Sequence, residues 1–181
     1  RGTVQAQADG GFTFTPTSGF VGDTSFAYTV GDAFGGRTQG TVTVHVTNDA
    51  PVARDDSYST RPGQVLTITA PGVLGNDSDA DGDAITVRSI DLTGTRGTVQ
   101  ALADGSFSFR PEAGFTGQTS FGYTMADSIG ARSTATVKID VVNQAPTVVN
   151  DSYSVHAGSV PTVAVPQGLL ANDSDGDGDA I

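Results

Sequence analysis

The sequence predicts an all-β chain built from tandem two-sheet β-sandwiches. Its 181 residues repeat at a register of 95, and the apolar residues within a repeat alternate at period two, with no helical periodicity. The acidic side chains agree with this reading: 19 of the 20 are Asp and only Glu112 is Glu. Asp favours turns, caps and ion sites, whereas Glu is a good helix former.

The register is set by identical stretches. Arg1-Gly-Thr-Val-Gln-Ala6 returns as Arg96 to Ala101, Asp9-Gly10 as Asp104-Gly105, and Gly19-Phe20-x-Gly22 as Gly114-Phe115-x-Gly117. Thr24-Ser-Phe-x-Tyr28 returns as Thr119 to Tyr123, Asp32 as Asp127, Ala50-Pro51 as Ala145-Pro146, and Asp56-Ser-Tyr58 as Asp151-Ser-Tyr153. One inserted residue near Gln167 moves the register to 96, which lays Asn172-Asp173 on Asn76-Asp77. Proline after a strand ends pairing and stiffens a junction, so the two Ala-Pro linkers are the seams. They divide the chain into residues 1–48, the C-terminal half of a repeat; 49–143, a complete repeat; and 144–181, the opening of a third.

Taken in order, the complete repeat shows alternating runs at Leu66-x-Ile68 and Ile85-x-Val87. Val99-x-Ala101, Phe107-x-Phe109, Phe121-x-Tyr123-x-Met125 and Val137-x-Ile139-x-Val141 follow. Asp104-Gly105 between two such runs signals a hairpin, and Asp9 and Asp104 read as turn residues on that ground. About seven strands in 95 residues is the size and spacing of an immunoglobulin-like β-sandwich. Residues 1–48 then supply the last four strands of a repeat and 144–181 the first two.

The densest charge lies in the loop Asn76-Asp77-Ser-Asp79-Ala-Asp81-Gly82-Asp83, written again at Asn172 to Asp179 as Asp173, Asp175, Asp177 and Asp179. Alternate Asp residues followed by Gly match the first half of an oxygen-ligand loop for calcium, in which short side chains converge and glycine permits the turn. Arg88 stands where a bidentate Glu would close an EF-hand, and strands flank the loop, so an EF-hand is excluded. Carboxylates about 6 Å apart repel by roughly 0.7 kcal/mol per pair even in water, a penalty that a cation removes. Strand alternation returns this loop, between the second and third strands, to the end where the linker enters. It meets there Asp127, after the sixth strand, and the linker residues Asn48, Asp49, Asp55 and Asp56. A hard cation seeking six to eight oxygens would be served at that seam. The second copy is expected to bind less well, because it lacks a counterpart of Asp127.

Composition excludes several classes. A formal net charge of -11 argues against nucleic acid, and no apolar run reaches the roughly 18 residues that span a bilayer. There is no cysteine for disulfides or thiolate chemistry. The two histidines, His45 and His156, align with Asp140 and Arg61, outside every shared motif, and no acid/base pair or nucleophile recurs, so an enzyme is not expected.

Together, Asn-x-Ala-Pro at the seam, Asp56-Ser-Tyr58, Asn76-Asp77-x-Asp79-x-Asp81-Gly82-Asp83, Gly114-Phe115-x-Gly117 with Ser120-Phe121-x-Tyr123, and Asp127 resemble bacterial cadherin-like, immunoglobulin-like tandem repeats of large secreted, RTX-type adhesins. The resemblance implies a calcium-stiffened extender, exported by a one-step (type I) secretion system to the cell surface or medium. It places Ca2+ on Asp55 or Asp56, Asp79, Asp81, Asp83 and Asp127. The repeated positions extend the candidate set to Asn48, Asn76, Asp77, Asp151, Asp173, Asp175, Asp177 and Asp179. Animal cadherins, similar in architecture, complete a three-ion cluster with strand glutamates; this chain lacks them, and one or two ions per seam are expected.

A carbohydrate- or protein-binding sandwich is the alternative. There is no Trp, and Phe107, Phe109, Phe121 and Tyr123 read as core, which leaves Phe34 as the one exposed-looking aromatic. Tyr58 and Tyr153 are expected to pack under the linker. The expected partners are neighbouring repeats of the same chain. Head-to-tail association of the split ends between molecules is a further expectation, with the absence of a third strand from both ends as its obstacle.

Overall fold

The computed structural model describes residues 1–165, 168–178 and 180–181. The inserted residue expected near Gln167 and the candidate Asp179 lie outside them. Among the described residues eleven strands run in chain order: β1 (Gly2–Ala6), β2 (Phe12–Pro16), β3 (Gly22–Gly31), β4 (Arg37–Val46), β5 (Asp56–Thr60), β6 (Leu66–Ile68), β7 (Thr86–Asp91), β8 (Gly97–Ala101), β9 (Phe107–Pro111), β10 (Gly117–Ala126) and β11 (Arg132–Val141).

The seven strands β5 to β11 form the expected sandwich. One sheet is ordered β5-β11-β10-β7 and the other β6-β9-β8. All pairs are antiparallel except β5 with β11, which run parallel from Asp56↔Val137 to Thr60↔Val141. The period-two residues face inward, as the alternation requires: Phe107, Phe109, Phe121, Tyr123, Met125, Val137, Ile139 and Val141 are all buried. Phe107 sits edge-on to both Phe121 and Tyr58, with centroids at 5.4 and 5.3 Å. Tyr58 is therefore a core contact and does not lie under the linker as the sequence suggested. That place is taken by Tyr123.

One element has no period-two or helical signal: a three-residue 3-10 turn, Gly72–Leu74, in the stretch before the acidic loop. It is fixed against the hairpin turn between β8 and β9. Val73 N donates to Gly105 O at 3.0 Å, and a side chain at Gly105 (φ 85°) would strike Pro71 O. Asp104 serves the hairpin as expected, its Oδ1 accepting from Ser106 N at 3.0 Å.

Strands β1 to β4 reproduce β8 to β11 as two hairpins, down to a guanidinium over a ring, Arg1 on Phe20 and Arg96 on Phe115. Their inner faces are uncovered in this chain. Phe12 is 47% exposed where its counterpart Phe107 is 3%, and Tyr28 is 48% exposed where Tyr123 is 2%. Phe34, at 99%, is thus joined by other exposed aromatics that the sequence assigns to a core. No strand forms among the described residues of 144–181; only the bridge Thr147↔Ser174 does. The reason is pairing. β5 and β6 depend on β11 and β9, and this segment has no counterpart of either.

Phe109→Ala should lower stability by about 3–5 kcal/mol, the cost of emptying a fully buried aromatic site. The register counterpart Phe14→Ala, at a half-buried position, should cost less, and urea titration of both variants compares them.

Candidate metal centre at the repeat seam

The loop between β6 and β7 is shaped by one of its own carboxylates. Asp79 Oδ1 accepts from Asp81 N at 2.9 Å and Asp83 N at 3.2 Å, and Gly82 turns the chain at φ 79°. This winding brings one carboxylate oxygen each from Asp79, Asp81 and Asp83 to within 4.8 Å of one another. Three like charges so close cost about 1 kcal/mol per pair in water and several-fold more at a protein surface.

The linker is bound to this loop. Val52 N donates to Ser78 O at 2.7 Å, Ser78 N to Val52 O at 3.2 Å, and Asp49 N to Asp81 Oδ2 at 2.6 Å. Asn48 Nδ2 donates to Asp127 Oδ2 at 2.8 Å, and Ser128 Oγ to Asp83 Oδ1 at 2.7 Å, which ties in the β10–β11 loop. The expected convergence of linker, acidic loop and Asp127 at one end of the sandwich is thus what the fold produces.

The candidate residues divide by what their oxygens do. Asp77 faces inward: it accepts from Arg54 N at 2.8 Å, and the Tyr123 hydroxyl lies 2.9 Å from Asp77 Oδ2 and 3.1 Å from the carbonyls of Arg54 and Val73. Asn76 braces the linker by donating to Asp55 O at 3.1 Å. Asp55 accepts from Thr136 N at 2.9 Å with Lys138 Nζ at 3.7 Å, an attachment to β11. Asp127, almost fully buried, accepts three backbone N–H bonds from Ile129, Gly130 and Ala131 on Oδ1, and so fixes the loop that carries it. Asp55, Asp77 and Asp127 are not among the three carboxylates that converge. In the second copy Asp173 accepts from Val149 N, as Asp77 does from Arg54 N, and Asp175 accepts from Asp177 N at 2.8 Å. Tyr153 Oη lies 3.5 Å from Asp151 Oδ1.

Three oxygens at the first seam are buried with no hydrogen-bond donor: Asn48 Oδ1, Asp56 Oδ2 and Asp79 Oδ2. An unsatisfied buried acceptor costs about 1–3 kcal/mol, so these groups fit a cation better than they fit one another. Asp79, Asp81 and Asp83, with Asn48 from the linker, are the residues that would hold a divalent ion; all are hard oxygen donors, as calcium requires. Asp56, at the head of β5, is a separate buried oxygen.

Electrostatics sharpen the division. Burial, followed by the charges of Asp77 and Asp55, pushes the Asp56 carboxyl up to about 6 from 3.8. Burial also raises Asp77, against the bonds from Arg54 N and the Tyr123 hydroxyl. Asp127 is held below the ordinary range, chiefly by the Asn48 side chain and then by its backbone donors. Sequence reasoning missed Ser128 and the dual role of Tyr123. Tyr123 recurs as Tyr28 in a phenylalanine-rich run, and that signal reads equally as core.

Residues 48–142 match the bacterial cadherin-like domain and residues 1–45 the bacterial Ig domain. The two-sheet, seven-strand sandwich agrees with a cadherin-like or Ig-like domain. The chain belongs to the bacterial cadherin-like domain family. None of the curated proteins matches it. Among solved structures it is similar to a nucleoside hydrolase-related hypothetical protein from Saccharophagus degradans (16% identity, 54% of this chain and 26% of that one, TM-score 0.42). It is also similar to the endo-fucoidan hydrolase MfFcnA4 (20%, 77% and 22%, 0.37) and to the protocadherin gammaB4 extracellular domain (18%, 83% and 27%, 0.36). The chain spans about a quarter of the length of each.

A raised carboxyl binds its proton more tightly in the folded state, so the stability it contributes is present below pH 3.8 and is lost as pH rises through 6. In chelator, the contribution of Asp56 to unfolding free energy should therefore fall between pH 4 and 7. Asp56→Asn should flatten that slope, as read by urea titration at several pH values.

Proposed function

We propose that this chain is a structural extender segment of a bacterial surface or secreted adhesin, with calcium at the acidic seam fixing the angle between successive domains. The observation that carries the reading is Asp79 Oδ2, buried without a donor among three converging carboxylates on a loop that is hydrogen-bonded to the incoming linker. A cation placed there neutralises the loop and, through Asp81 and Asp49, holds the linker to the domain that follows. Family membership supports an adhesion-type, extracellular setting and a role without catalysis. Export by type I secretion in an RTX-type adhesin is part of the same proposal. No helix of the described residues is long and apolar enough to cross a membrane.

Calcium suits the site better than magnesium. Magnesium demands a near-octahedral shell and keeps most of its water, whereas a loop of carboxylates and carbonyls offers the variable oxygen cage that calcium accepts. Stiffening follows because the ion binds only the folded arrangement of loop and linker.

At calcium a hundredfold above its dissociation constant the native state should gain about 2.7 kcal/mol, a rise in Tm of roughly 11–22 °C for a domain of this size, and the particle should lengthen in small-angle scattering. Replacing Asp79, Asp81 and Asp83 together with Asn should abolish both effects. Identical melting curves in calcium and in chelator would remove the metal. Sedimentation of the same samples reads whether the split ends join copies head to tail.

A further inference from the structure

The loop copy at 172–178 repeats the linker contacts of the first. Thr147 and Ser174 exchange backbone bonds at 2.7 and 3.1 Å, and Gln144 N donates to Asp177 Oδ2 at 2.5 Å, as Asp49 N does to Asp81. A further contact forms at the second seam. Arg61, at the end of β5 where the chain turns toward β6, reaches across to the following segment. Its Nη1 donates to Gly176 O at 2.5 Å and its Nε stands 3.1 Å from Asp177 Oδ1. The Nε contact is an ion pair without hydrogen-bond alignment, since Asp177 Oδ1 is among the oxygens that no donor satisfies. Asp177 is 7% exposed, whereas its counterpart Asp81 is exposed and, among the described residues, has no cationic side chain paired with it.

We infer that Arg61 is a fixed, protein-borne cation for the second seam, tying the complete repeat to the segment after it without a metal. A guanidinium is always charged and presents several donors in a rigid fork, so it can hold a carbonyl and a carboxylate at once. A carboxylate as buried as Asp177 needs a positive partner. The two oxygens that Arg61 engages, a loop carbonyl and an Asp side chain, are also the oxygen types a calcium ion would take, so the guanidinium and the ion compete for this loop. The second seam thus carries a cation attached to the chain itself. The inference rests in part on reading the acidic loops as cation sites, and the experiment separates the two ideas.

The chain has no cysteine, so introduced pairs can be spin-labelled cleanly. Val21→Cys with Leu102→Cys reports the first seam and Thr116→Cys with Ala171→Cys the second, all at exposed positions. Pulsed electron paramagnetic resonance on the full chain, in calcium and in chelator, then gives the two distance distributions. In chelator the second seam should keep its narrow distribution while the first loses it. Arg61→Gln should abolish the narrow second-seam population in chelator and leave the first seam unchanged, and calcium should restore it. Arg61→Glu, which replaces the cation with a ligand, should be narrow only in calcium. An Arg61→Gln chain as narrow in chelator as the parent, or a parent already broad there, would overturn the inference. If calcium alters neither seam but Arg61→Gln still broadens the second, the metal reading fails and the Arg61 contact stands. Far-UV circular dichroism matching the parent confirms that the variants keep their sheets; Arg61 is about half exposed, so its replacement leaves the core intact.

Discussion

Negative charge gathered where two domains must meet is the constraint from which the rest of this structure takes its form. Three carboxylates within 4.8 Å of one another would spread apart if the loop were free to move. They are held because Asp79 spends one oxygen on the backbone of its own loop, Asp81 is engaged by the linker and Asp83 by Ser128. Each of these bonds uses one side of a carboxylate and leaves another oxygen available. The loop is thus organised before any ion arrives, which lowers the ordering cost that binding would otherwise carry.

The seam is also continuous with the hydrophobic core. Tyr123 buries its ring between the sheets and delivers its hydroxyl to Asp77, which in turn receives Arg54 N from the linker. One side chain therefore joins packing inside the sandwich to the path of the chain outside it. A shift in the linker is felt at a core position, and core positions do not deform continuously. This explains why Asp77, though written in the same acidic run as Asp79, Asp81 and Asp83, does different work: it is a brace whose burial raises its affinity for a proton.

Fold and seam were largely legible in the sequence because both rest on short-range rules. Period-two alternation marks Phe107, Phe109, Phe121 and Val137 as inward, and strand direction alone brings Asp127 and Asn48 to the acidic loop. Roles that depend on which way a side chain turns were not legible. Asp127 and Asp79 have the same chemistry, yet one is saturated by donors from its loop and from Asn48 and the other keeps a bare oxygen. Tyr58 lies beside the linker in sequence but turns onto Phe107. The strands expected in 144–181 failed for a related reason: alternation states that a segment can be a strand, whereas a partner decides that it is one. Arg61 had no signal beyond a basic residue at the end of a strand, because its partner is 116 residues away in Asp177.

The parallel pairing of β5 with β11 has a mechanical consequence. The incoming linker enters at the head of β5 and the outgoing linker leaves from the tail of β11, and the two strands run side by side over five residue pairs. Tension applied along the array pulls them in opposite directions along their common axis. Their hydrogen bonds then strain together in shear and cannot peel open one at a time, as the bonds of a hairpin pulled from its open end would. A domain joined to its neighbours in this way resists stretching with its whole terminal ladder, a property that belongs to the topology and is independent of what occupies the seam.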